Sequence, residues 1–145
     1  MGLWQGVVSI ENEPGGDLKD WLVTKPLAYA HGPIKVTVLP GATTDGASIP
    51  RFFWRVIGGP FSGRYTAAAL IHDQLYATWG VNGQLNRKFA DDLFKAAMLD
   101  SGVSRVKAAT MHRAVRLMSG KFWDRHSGKD IHEQLKFIEV EFAGE

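Results

Sequence analysis

TAAALIHDQLYATWGVNGQLNRKFADDLF, residues 66–94, decides the fold. Its first half repeats apolar residues at helical spacing, so that Ala68, Ile71, Leu75 and Trp79 share one face. His72 sits among them, with Asp73 about 100° round the helix and Tyr76 four residues on, on the same side as His72. Gly80 and Gly83 punctuate the pattern as helix stops do. Asn86 then has the character of an N-cap, and Asp91 falls at the edge of the next apolar face beside Phe94 and Met98. The spacing therefore predicts two antiparallel helices joined by a short loop.

The helical texture continues toward the end of the chain. Helices are expected near 64–79, 86–100 and 103–120, with a weaker one near 128–138. Gly102 and Gly120 serve as further stops, and Ser101 or Ser104 caps the third helix. Upstream the texture is β. WLVTKPLAYA (21–30) and IKVTVLP (34–40) are β-branched and aromatic runs on either side of HGP (31–33), which predicts a hairpin. LWQGVVSI supplies an edge strand, ENEPGGD (11–17) a loop, and the alternating KFIEVEF (136–142) a last strand. The fold class is α+β. A small N-terminal antiparallel sheet packs against a C-terminal layer of three to four helices, in a single domain over 1–145 that is mainly β over 1–49 and mainly α over 64–138.

Composition narrows the function classes. The chain has 145 residues, enough for one real core. Five Trp and eight Phe make that core or a binding surface aromatic. A net charge of +2 without a Lys/Arg block gives no case for a specific nucleic-acid partner. The absence of cysteine excludes disulfides and Cys-ligated zinc, and the five histidines show no H-x-x-x-H spacing. No run approaches the roughly 18 apolar residues of a spanning helix. The opening MGLWQGVVSI lacks the layout of a secretion signal. The expected setting is a cytosol or a particle.

The chemistry-bearing residues are His72, Asp73 and Asp91. A buried imidazole needs partners for its nitrogens. A carboxylate that binds one of them fixes the tautomer and turns the other into a base. Asp91 is the best-placed carboxylate, and Arg87, four residues before it, pairs with it along the helix. The competing reading is a hydrogen-bonded core histidine with no catalytic task. PGATTDGASIPRFFW (40–54) is a second polar motif. Asp45-Gly46 makes a tight turn, Ser48 hydrogen-bonds it, and Pro50 suits the first position of a helix. Asp45 either closes its own turn or lies beside His72 and Asp73.

Two resemblances carry these residues further. A-A-x-x-H-D-x-x-Y over 68–76, followed by A-D at 90–91, resembles the active-site helix pair of secreted-type phospholipases A2, above all the cysteine-free version in parvovirus capsid proteins. That resemblance implies His72 as general base, Asp91 as the group that orients it, Tyr76 as support for Asp91, and Asp73 as a ligand of Ca2+. The calcium loop would be VIGGPFSG (56–63), which is Gly-rich but is not the loop of that family. The longer resemblance runs from about Trp21 to Gly120. Lys25–Tyr29, Thr44–Arg51, Trp54, Ala68–Tyr76, Arg87–Asp91, Phe94 and Met111–Arg116 look like a family of uncharacterised proteins of tailed bacteriophages and prophages. Leu39–Ala42 departs from it where an aromatic usually precedes the Thr-Asp pair.

Two functions follow. One is a phage-encoded ester hydrolase acting on phospholipid at entry or lysis. In it Phe52, Phe53 and Trp54 form an interfacial patch, and Arg51 and Arg55 meet lipid phosphates. The other is a non-catalytic head or tail component docked to other virion proteins, in which the His/Asp/Arg cluster is a buried structural network.

Overall fold

The computed structural model describes residues 2–12, 21–44, 65–124 and 133–143. Its strands are β1 (Leu3–Gln5), β2 (Ile10–Asn12), β3 (Trp21–Val23), β4 (Leu27–His31), β5 (Ile34–Val38), β6 (Thr43–Thr44) and β7 (Ile138–Phe142). Its helices are α1 (Thr66–Ala77), α2 (Trp79–Gly83), α3 (Arg87–Asp100), α4 (Arg105–Met118) and α5 (Gly120–Asp124). The chain is α+β, as its texture predicts.

The β4–β5 hairpin is the centre of a four-stranded antiparallel sheet in the order β1-β4-β5-β7. Its register pairs His31 with Ile34 across Gly32-Pro33. A two-residue hairpin turn of the primed kind needs positive φ at its first central position, and Gly32 supplies it at +59°. On β5, Ile34, Val36 and Val38 are buried while Lys35 and Thr37 are not, the alternation of a sheet with one covered face. β7 closes the sheet beside β5, pairing Val140 with Val36. The sheet is thus not purely N-terminal: the alternating segment at the far end of the chain returns to its edge.

The structure adds a second antiparallel sheet, β2-β3-β6, which the sequence pattern does not announce. WLVTKPLAYA reads as one strand but divides at Pro26, which has no N–H to give a ladder. Trp21–Val23 then pairs with β2 and β6, and Leu27–His31 pairs with β1 and β5. Glu11 and Asn12, expected in a loop, belong to β2.

α1 packs on α3, and α3 on α4, while α1 also touches β5 and β6. The core joins Tyr29, Val36 and Val38 of the sheet to Leu70, Ile71, Leu75, Phe94, Met98 and Met111 of the helices. Capping sets the helix offsets. Asn86 Oδ1 accepts from Phe89 N at 2.7 Å, and Ser104 Oγ accepts from Lys107 N at 3.2 Å. Ser101 is not that cap; it ends α3, its hydroxyl donating to Ala97 O at 2.8 Å. Gly120 opens α5 rather than ending a helix, and within 128–138 only a turn at 133–135 is helical among the described residues.

α1 stops earlier than its apolar pattern suggests. Trp79, Gly80, Val81 and Asn82 all have positive φ, between +50° and +63°. This is a left-handed turn, costly for Trp and Val. Gly80 permits it: a Cβ there would stand 2.0 Å from Leu85 O. The turn reverses the chain so that α3 runs back along α1.

Candidate functional site

α1 and α3 place His72 and Asp91 face to face. His72 Nε2 lies 2.7 Å from Asp91 Oδ1, and both side chains are fully buried. The same carboxylate oxygen accepts from the Tyr76 hydroxyl at 2.7 Å. The expected pairing of His72, Asp91 and Tyr76 is therefore present. The imidazole is further fixed between rings, with Tyr76 at 4.4 Å and Phe94 at 4.6 Å between centroids.

The other oxygen of Asp91 is held by arginine. Arg116 Nη1, near the end of α4, donates to Oδ2 at 2.8 Å. Arg87 Nε stands 3.9 Å from Oδ2 and donates to the Tyr76 hydroxyl at 3.2 Å. Its Nη2 donates to Val115 O at 2.7 Å and Arg116 O at 2.8 Å. A guanidinium there satisfies the last-turn carbonyls of α4 and favours its negative dipole end. Arg87 is accordingly more than a surface partner of Asp91: it ties α3, α1 and α4 together. In the sequence Arg116 stands out only as the last residue of the Met111–Arg116 motif, with no role attached. It lies 25 residues from Asp91 and is partly exposed, so it reads as a surface cation.

Electrostatics follow from these contacts. Burial, the largest influence, pushes the Asp91 carboxyl up. The His72 hydrogen bond and charge, with the Tyr76 and Arg116 hydrogen bonds, outweigh it and hold the group below its ordinary value. Asp91 is thus an anion in the interior. Burial pushes the Tyr76 phenol well above its usual range, and the hydrogen bond to Asp91 adds to that, against the lowering by Arg87. Tyr76 remains a donor.

Asp73 is buried and accepts a short hydrogen bond from the Thr44 hydroxyl. Next to it, the fully buried Gln74 donates from Nε2 to Thr43 O at 2.7 Å. Two successive residues of α1 thus grip β6, the strand that leads into the T-D-G-A-S-I-P motif. Asp45, Gly46 and Ser48 lie outside the described residues, as do Phe52, Phe53, Trp54, the two nearby arginines and VIGGPFSG. Asp73 is a hard oxygen donor suited to Ca2+, which takes about six to eight oxygens. Among the described residues no three His, Cys, Asp or Glu side chains converge on a metal position. The described residues alone do not complete a calcium site.

The fold and site define a class: an α+β domain whose helix pair encloses a His–Asp–Tyr–Arg network. Residues 21–115 match the family described as protein of unknown function (DUF1353), and the chain belongs to that family. It is 40% identical over 85 residues to the uncharacterized protein y4jT of Sinorhizobium fredii (strain NBRC 101917 / NGR234). That match covers 57% of this chain and 23% of the relative. No solved structure matches the chain. The matched family span holds β3 to most of α4, and so contains His72, Asp73, Tyr76, Arg87 and Asp91.

Proposed function

We propose that this domain is an ester hydrolase in which His72 is the general base, with a phospholipid as substrate and a tailed phage or prophage as its setting. The observation that carries the reading is the division of labour at Asp91. One oxygen takes His72 Nε2 and the Tyr76 hydroxyl, and the other takes Arg116. In this reading Nε2 stays with Asp91 and Nδ1 takes the proton from the attacking water. The water oxygen bonds to the ester carbonyl carbon as that proton moves. The imidazolium is stabilised by the buried Asp91 anion, and its proton passes to the departing alkoxide as the ester C–O bond breaks. The carboxylic acid and alcohol leave, and His72 returns to neutral. Asp73 would be the protein carboxylate on Ca2+, which when bound polarises the carbonyl.

A second reading rests on the complete burial of His72 and Asp91. In it the network fixes the packing of α1, α3 and α4, and the protein serves a phage particle without catalysis. The test is hydrolysis of a phospholipid and of a simple ester by the 145-residue chain, with Ca2+ and with chelator. Turnover with a bell-shaped or rising pH profile supports the hydrolase. A folded protein inactive under both conditions replaces it with the structural reading.

A further inference from the structure

We infer that the solvent face of α4 is a docking surface for an anionic lipid bilayer. The inference is independent of the hydrolase reading, because it needs no catalysis. Charge is strongly segregated along the chain. Between Ser101 and Trp123 there is no Asp or Glu, while Arg105, Lys107, Arg113, Arg116 and Lys121 fall there. Elsewhere, 12 Lys and Arg face all 15 Asp and Glu. The mild net charge of the whole chain hides one cationic element on an otherwise acidic body.

The geometry of α4 sorts these residues. Ala108, Met111, Ala114 and Val115 are buried and face α3 and the core. Val106, Arg113 and Leu117 lie within about 20° of one line on the opposite face, over roughly 16 Å of helix. Arg105 and Lys107 flank that line on either side. All five side chains are exposed, Val106 by 77% and Leu117 by 75%. Leu3 and Val7 are nearly as open to water, but Val106 and Leu117 share their helix face with cations. Arg105, Lys107 and Arg113 have no ion-pair partner among the described residues. Lys88, Arg87, Arg116 and Lys136 have one, while Lys25, Lys35 and Lys95, like the three on α4, have none among the described residues.

Aliphatic side chains aligned with unpaired cations fit a bilayer surface: the cations meet lipid phosphates and the aliphatics enter the headgroup boundary. A nucleic acid would use the same cations but leave Val106 and Leu117 in water. The face also has no aromatic side chain for stacking on bases.

The experiment is co-sedimentation of the chain with phosphatidylcholine vesicles with and without about 30% phosphatidylglycerol. Binding is expected only with phosphatidylglycerol, and it should weaken as salt is raised. Joint replacement Arg105→Gln, Lys107→Gln and Arg113→Gln should lower partitioning about 10²-fold, near fivefold per cation. Leu117→Ser should lower it about tenfold with the charge intact. All four positions are exposed, and a thermal melt of each variant checks that it is folded. Absence of binding by the folded wild-type chain overturns the inference, as does binding that the triple replacement leaves unchanged. Two other results overturn it by naming another occupant: oligonucleotide binding without vesicle binding, or self-association that Leu117→Ser abolishes.

Discussion

Replacing Arg116 with Gln asks how the buried Asp91 anion is held. The change removes the 2.8 Å donor to Oδ2 and leaves Oδ1 with His72 and Tyr76. A hydrogen bond to a charged group contributes about 1.5–3 kcal/mol. Two features pull the cost to the lower end. Arg116 is 32% exposed, so solvent screens it. Arg87 Nε, 3.9 Å from the same oxygen, can move onto it. The expected loss is about 1–2 kcal/mol, read as a lower urea midpoint at pH 7 with an unchanged slope. The pH dependence gives a second readout. The folded Asp91 carboxyl lies below its ordinary value, so its contribution is present above the ordinary carboxylate range. That contribution is lost as pH falls through the depressed folded value. Without Arg116 one of the lowering partners is gone and the folded value rises toward the ordinary one, so the acid loss of stability begins at the same pH but is smaller and ends at higher pH. In an Asp91→Asn background, Arg116→Gln should add almost nothing. A stability change under about 0.5 kcal/mol at pH 7, with an unshifted acid limb, would refute the view that Arg116 sustains the anion.

Gly80→Ala should destabilise the fold by more than the roughly 1–2 kcal/mol of a left-handed residue, because the new Cβ meets Leu85 O; a thermal melt reads it. Tyr29→Phe removes the 2.5 Å hydrogen bond to Asp100, which ties β4 to the end of α3, and should cost about 1.5–3 kcal/mol in urea unfolding. If Asp73 holds Ca2+, the ion raises the melting temperature of the wild-type chain and not that of Asp73→Asn. Equal responses would remove Asp73 as the ligand.

Local pattern carried most of the fold. The hairpin is legible because Gly32-Pro33 sits between two β-branched runs, and the helix pair because Asn86 restarts the apolar period after Gly80 and Gly83. Asp91 is legible as the best-placed partner of His72, though the local pattern leaves the helix offset open, and the Tyr76 contact with Asp91 is implied only by the phospholipase resemblance. The second sheet was hidden because each of its strands has only two or three residues, too few to show a period. The left-handed turn was hidden because Trp79 extends the apolar face of α1, and nothing in that face reports the reversal at Gly80. Arg87 was legible as a partner of Asp91 four residues on, but not as the group that caps α4. Arg116 ends the Met111–Arg116 motif, but its hold on Asp91 does not show there. Its task depends on where α4 ends relative to α3, a tertiary fact with no local trace.

In the proposed hydrolase His72 cycles a proton while Asp91 orients the ring and stabilises the imidazolium, and His72→Gln tests this most directly. A Gln amide at that position can still donate to Asp91 Oδ1, so that hydrogen bond can persist, but it has no nitrogen that titrates. The account predicts ester hydrolysis by the wild-type chain, a fall of about 10²–10⁴-fold in the variant, and a nearly unchanged melting temperature. A wild-type chain that hydrolyses nothing, or a well-folded His72→Gln variant as active as wild type, would contradict it.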